Sequence, residues 1–170
     1  MVHKKHKPAF TLIEIMVTVA VIVMMAGVLW KMGHGLEVKR QVQQQKQAFA
    51  ILDSALQAYY EVAGVFPEVA RDNTMDELLW AKSATELMWQ RLLSVPESRF
   101  VAERLSTELL KNLYVSPDAT DHDWPEIYDV WGRPVEYVWH ANMAFPMLRS
   151  RGPNGSYEEP NELTDDITNR

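Results

Sequence analysis

The chain has 170 residues, no cysteine and a formal net charge of -6, with 47% hydrophobic and 24% charged residues. That length holds one domain with an appended element rather than two full-sized domains, and the composition is too apolar for a disordered chain. The lack of cysteine excludes a disulfide framework, cysteine-based metal centres and a thiol nucleophile, and the acidic balance argues against nucleic acid as a partner. Charge is spread unevenly: residues 1–9 hold Lys4, Lys5 and Lys7 and no acid.

Directly after this basic tip, Phe10 to Trp30 reads FTLIEIMVTVAVIVMMAGVLW, interrupted only by Thr11, Glu14 and Thr18. At about 1.5 Å per residue, a helix of this length spans the roughly 30 Å hydrocarbon core of a bilayer. In lipid the backbone must satisfy its own hydrogen bonds, so helix prevails over the low helicity of the β-branched residues. A buried core helix would show a polar face, and residues 15–30 have none. A cleaved secretory signal would end its shorter apolar run at a small-residue site, for which Ala26-Gly27 is a weak match. The reading is a retained transmembrane helix over 10–30.

Glu14 stands out within this run. An acid at the centre of a membrane helix costs about 2.5–3.5 kcal/mol on insertion scales, and less near an end. It lies one helical turn after Phe10. A cut between Ala9 and Phe10 would place a new α-amine where it can compensate Glu14, in the same chain or in a packed neighbour. The alternative is an acid snorkelling to the headgroups.

The segment KPAFTLIEIMVTVAVIVMM resembles the prepilin-type signal of type IV pilins and type II secretion pseudopilins. The resemblance implies cleavage between Ala9 and Phe10 by a prepilin peptidase, with Ala9 where glycine is usual. It further implies N-methylation of Phe10 and a role for Glu14 in guiding subunit addition. Lysines and arginine on both sides of the run (Lys31, Lys39, Arg40 and Lys46 after it) leave orientation undecided by charge. The resemblance implies a cytoplasmic leader (1–9), a single pass through the bacterial inner membrane and a periplasmic remainder.

Gly33 and Gly35 mark a soft point, each costing about 1 kcal/mol against alanine in a helix, so any bend on assembly is expected at Gly27, Gly33 or Gly35. Residues 31–63 read as an amphipathic helical stem. Val38, Val42, Phe49, Leu52, Leu56 and Tyr59 recur at helical steps, with Gln45 filling the one gap. The glutamine-rich first half (41, 43, 44, 45 and 47) suits a solvated stem, and the stripe from Phe49 onward suits core packing. The helix should end near Ala63-Gly64, with Pro67 preventing continuation. Residues 64–170 then form a globular domain. Within it, 68–114 reads as an insertion of short helices, a lid or a surface for another subunit. Its capping boxes are Thr74-x-x-Glu77 and Ser83-x-x-Glu86, and Pro96 is a break.

After Asp129-Val130-Trp131-Gly132-Arg133-Pro134, the alternation of Val135, Tyr137 and Trp139 predicts a strand, and Met143–Ser150 predicts its return. Pro146 places that return at a sheet edge. Gly152, Pro153 and Gly155 fix a turn in the loop 150–170. The fold class is α+β: a long N-terminal helix, transmembrane then amphipathic, packed on a small antiparallel sheet. The order D-x-W-G-x-P-x-x-Y, S-x-G-P-N-G, D-D-I-T-N resembles the sheet and terminal loop of major pseudopilins. That resemblance implies a calcium ion held by Asn154, Asp165, Asp166 and the Ser150 and Arg151 carbonyls. Such a cation takes six to eight oxygens, and Asn154 brings one negative charge fewer than the usual aspartate. The plainer alternative is a solvated acidic tail with a turn.

The five histidines, His3, His6, His34, His122 and His140, fall in no catalytic pattern, and no P-loop, H-E-x-x-H, G-x-S-x-G or dinucleotide fingerprint occurs. Asp121-His122-Asp123 reads as a solvated loop. The expectation is a structural protein that requires no cofactor, calcium aside, and is not an enzyme. Through the resemblance it is a type II secretion pseudopilus subunit forming a periplasmic filament that drives protein export. Its implied partners are itself, other pseudopilins, prepilin peptidase, the inner-membrane secretion platform and the lipid bilayer. The alternatives are a minor pilin or pseudopilin and a signal-anchored binding domain that never polymerises.

Overall fold

Helix α1 runs from Leu12 to Ala63, 52 residues, through both the predicted span and the predicted stem. The computed structural model describes residues 11–69, 76–113, 124–156 and 165–169, with backbone alone at 28–35. Two units divide the chain, Met1–Lys39 and Arg40–Arg170. In the first, Thr11 opens α1: its carbonyl accepts the Glu14 N–H at 3.1 Å and its hydroxyl the same N–H at 3.4 Å, satisfying a donor that has no partner inside the helix. The glycines at 27, 33 and 35 stay helical.

In the second unit α1 buries Gln45, Ala48, Phe49, Leu52, Ala55, Leu56 and Tyr59, one stripe at three- and four-residue steps. The helix ends where predicted: the Gly64 N–H donates to the Tyr60 carbonyl at 2.8 Å, and Pro67 follows. Helix α2 (Glu77–Ser94) packs Met88, Trp89 and Leu92 into the same core, and helix α3 (Pro96–Ala102) starts on its proline. The Ser98 hydroxyl donates to the Leu92 carbonyl and the Arg99 Nε to the Leu93 carbonyl at 2.7 Å, so α3 caps the end of α2.

Two small antiparallel sheets complete the core. Strands β1 (Leu110–Lys111) and β2 (Glu126–Ile127) form one. Strands β3 (Glu136–Val138), β4 (Met147–Ser150) and β5 (Ile167–Thr168) form the other, in the order β3-β4-β5, with Tyr137 opposite Leu148 and Ser150 opposite Ile167. The architecture is the expected α+β: a long helix against small antiparallel sheets.

Three local expectations change. Ser83 does not start a helix; α2 runs through it from the N-cap Asp76, and Thr74 lies outside the described residues. The burial of Trp80, Ala84, Met88 and Leu92, one per turn, outweighs the capping preference of Ser83. Nor is α2 a lid, because those residues are core. Finally, β4 is the central strand rather than an edge. Pro146 precedes its first residue, so the ring removes no ladder donor, and its carbonyl accepts from Asn169 Nδ2 at 3.2 Å.

Candidate functional site

Glu14 occupies the first turn of α1, where a carboxylate complements the helix dipole. Every described side chain from Thr11 to Gly27 is exposed, Leu12 at 78% and Met24 at 73%. Apolar groups exposed on every side of a helix call for lipid or other helices around them. The Thr18 hydroxyl donates to the Ile15 carbonyl at 2.9 Å, so this polar group is satisfied within the helix itself. Among the described residues no helix is long and apolar enough to cross a membrane. The predicted span 10–30 includes Phe10 and the side chains of 28–30, which lie outside them, as do Ala9 and the leader.

The second site joins the stem to the domain. Gln45, 1% exposed, accepts the Val130 N–H on Oε1 at 3.0 Å, and Gln41, one turn earlier, accepts the Trp131 indole N–H at 3.0 Å. The first half of the stem is therefore not simply solvated: Gln43, Gln44 and Gln47 are exposed, but Gln41 and Gln45 are fastened to the domain. Asp129, 2% exposed, shapes the turn they grip. Its Oδ1 accepts the N–H groups of Trp131 at 3.0 Å and Arg133 at 2.8 Å, and its Oδ2 accepts the Ser150 hydroxyl at 2.7 Å. Three donors offset the cost of burying a carboxylate. The sequence signal for Gln45 was its place in the apolar stripe; nothing local marked Gln41.

The turn after the stem is pinned by Tyr137, whose hydroxyl donates to the Pro67 carbonyl at 2.7 Å. Burial, with a smaller contribution from Tyr59, pushes this phenol well above its usual range. Burial and the charge of Glu126 push the Tyr128 phenol up to about 12. Asn169, directly after β5, ties the chain end to α1 and β4: Nδ2 donates to Asp53 Oδ1 at 2.6 Å, and Oδ1 accepts the Leu148 N–H at 3.0 Å.

Of the oxygens assigned to calcium by resemblance, several are engaged internally, whereas Asp165 Oδ1 and Asp166 Oδ1 are buried atoms that accept no hydrogen bond. Asn154 Oδ1 accepts the Ser156 N–H at 2.8 Å, Asp165 Oδ2 accepts the Asn154 N–H at 3.0 Å, and the Arg151 carbonyl accepts the Gly155 N–H at 3.3 Å. Ser150 lies in the ladder opposite Ile167, and Asp165 and Asp166 both have interaction partners. A cation already sits in the turn: Arg133 Nη1 donates to the Gly152 carbonyl, and Nη2 to the Pro153 carbonyl at 3.5 Å. Gly152 and Gly155 adopt φ of 62° and 81°, and a Cβ at 155 would overlap the guanidinium. Among the described residues no group of three or more carboxylates, histidines or cysteines gathers around a metal position.

His140 is described, its carbonyl accepting the Met143 N–H in a turn at 2.8 Å; His3, His6, Asp121, His122, Asp123 and the His34 side chain lie outside the described residues.

Comparison with known protein families finds that residues 4–30 match the model described as the prokaryotic N-terminal methylation motif. The match spans Ala9, Phe10 and Glu14 and supports a type IV pilin-like protein carrying a prepilin-type processing signal. No curated protein and no solved structure matches the chain.

Proposed function

We propose that this pilin-like chain is a structural subunit of a type II secretion pseudopilus. In this reading it is cut between Ala9 and Phe10 by prepilin peptidase and N-methylated on Phe10. It is held in the inner membrane by residues 10–30, with the leader cytoplasmic and the domain periplasmic. Subunits then add to a periplasmic filament, alongside other pseudopilins and on the secretion platform, and the filament drives protein export. The observation that supports the reading is the match of residues 4–30 to the methylation motif, whose part from Leu12 onward lies on a helix with exposed apolar side chains as far as Met25.

The chemistry follows from charge in an apolar medium. A carboxylate surrounded by hydrocarbon is unfavourable until a cation reaches it. Trimming at Phe10 creates such a cation, and N-methylation preserves its charge. A membrane-stored subunit therefore gains when its Glu14 meets the terminal amine of a neighbour. The apolar faces of neighbouring helices then replace lipid as the packing surface. No catalytic group and no cofactor is needed.

A minor subunit at the filament tip is the second reading, favoured by α2 and α3, which enlarge the domain beyond a helix-and-sheet minimum. The deciding measurement is the intact mass of the protein purified from cells with active peptidase. A methylated N-terminal Phe10 is expected; an unprocessed Met1 would overturn the reading in favour of an anchored, non-polymerising domain. Glu14→Ala should insert into the membrane normally and fail to enter filaments. Wild-type filament yield from that variant would overturn the charge-pairing mechanism.

A further inference from the structure

At the C-terminal end of α1 a cavity of about 640 Å³ opens between the Gly64 turn, α2 and the segment after β3, within the unit Arg40–Arg170. Its wall is aromatic. Tyr60, 42% exposed, stacks on Phe66 with ring centroids 4.6 Å apart, and Phe66 meets Trp139 edge-on at 4.9 Å. The wall is held in place, because Phe145 also meets Phe66 edge-on and the Tyr137 hydroxyl pins Pro67. Three polar side chains line the same cavity without a partner among the described residues. Tyr59, 9% exposed, makes no hydrogen bond there, and Glu68 and Arg91, both exposed, form no ion pair with each other or with any other described group. A hydroxyl this buried is ordinarily matched, as that of Tyr137 is.

We propose that this cavity is a carbohydrate site, which takes the face of a pyranose ring against Tyr60 and its hydroxyls on Tyr59, Glu68 and Arg91. The chemistry of the three polar groups selects the class. A carboxylate only accepts, a guanidinium only donates and a phenol does both, so a ligand that meets all three must itself donate and accept. Sugar hydroxyls do both, and the ring that carries them shows a C–H face that packs on the negative face of an aromatic one. A proline-rich segment, another guest of aromatic grooves, brings proline carbonyls without backbone donors and leaves Glu68 unmatched. An anion would meet the charge of Glu68, and a cation that of Arg91. The volume lies within the roughly 300–1,000 Å³ of small-ligand sites. Binding of this kind does not depend on polymerisation, since every group involved belongs to one chain.

The test uses the full chain in a polyoxyethylene detergent, which carries no sugar of its own, and saturation-transfer NMR. The probes are the methyl pyranosides of glucose, galactose, mannose and N-acetylglucosamine at millimolar concentration. At least one is expected to receive saturation on its ring C–H protons. Sorbitol, an open-chain polyol without a ring face, and a proline tetrapeptide are expected to receive none. Tyr60→Ser is expected to abolish the signal. Tyr59→Phe, which removes only the hydroxyl, is expected to raise Kd roughly three- to tenfold without lowering Tm, since no internal hydrogen bond is lost. Silence from all the pyranosides would overturn the proposal. So would equal saturation of sorbitol or of the proline peptide, undiminished binding by Tyr60→Ser, or a lower Tm for Tyr59→Phe, which would mean that the hydroxyl has a partner inside the chain. The sugar, sorbitol and peptide arms use wild type alone, so they decide the question even if Tyr60→Ser fails to fold.

Discussion

The side-chain oxygen of Gln45 takes the backbone N–H of Val130, 85 residues away in sequence, from within a helix face otherwise made of Ala48, Phe49, Leu52, Ala55 and Leu56. A buried amide on an apolar stripe costs free energy unless it is matched, and matched it fixes the axial register of the stem against the domain. Gln45→Leu keeps the volume and removes the acceptor, leaving the Val130 N–H to find another partner. We expect a loss of about 1–3 kcal/mol, read from the urea midpoint of the full chain in detergent. Gln41→Ala, which loses a part-buried contact to the Trp131 indole, should cost less, about 0.5–1.5 kcal/mol. Equal and negligible losses would mean that apolar packing alone sets the register.

The outline of α1 was legible because its signals are local: an unbroken apolar run, then a 3.6-residue stripe, then Gly64 and Pro67. The alternation of Val135 and Tyr137 likewise marked two core residues at β3, although Glu136 between them is buried as well. What escaped depends on partners distant in sequence. Nothing near Gln41 shows that an indole 90 residues away will use it. Pro146 suggested an edge strand because a proline weakens a ladder wherever it falls; only the pairing shows that β4 begins one residue later. Arg133 passed unremarked for the same reason, since the carbonyls it serves lie 19 and 20 residues on.

Helix α2 carries a clear packing prediction. Met88 is fully buried in the core shared with α1, whereas Phe100 of α3 is 67% exposed, with the Arg104 guanidinium over its ring. Met88→Ala should destabilise by about 2–5 kcal/mol, the cost of the lost burial plus a cavity. Phe100→Ser should stay within about 0.5 kcal/mol, as surface changes do. Thermal unfolding of both variants checks the contrast. A small effect at Met88 would show that the helical insertion is peripheral to the fold.

The raised phenol of Tyr128 predicts how the domain fails in base. Folded, it holds its proton to about pH 12, while the unfolded chain releases it near the ordinary tyrosine value of about 10. Between these values the native state binds more protons, so stability falls as pH rises through the window and is unaffected below it. Tyr137, raised further and donating to Pro67, acts in the same direction. Tyr128→Phe should flatten the first part of this decline, measured as Tm against pH from neutral to strongly alkaline. An identical alkaline slope in that variant would assign the decline to other groups.

The ion pair across β3 and β4 predicts an asymmetry. Arg149 donates to Glu136 Oε2 through Nη2 at 2.8 Å and Nε at 2.9 Å, and the two residues sit directly opposite in the ladder. Their side chains differ in access to water: 26% of the arginine is exposed against 6% of the glutamate. Removing the glutamate leaves a cation that can turn outward, whereas removing the arginine strands a carboxylate inside. Glu136→Gln should therefore cost about 1 kcal/mol, near the range of solvent-accessible pairs. Arg149→Met should approach about 3 kcal/mol, the lower end for breaking a buried pair. Denaturant unfolding of both single variants and the double variant gives the coupling energy directly. The double variant should recover part of the Arg149→Met loss, because the stranded charge is gone. If it is instead the least stable of the three, shape rather than charge is what the pair contributes.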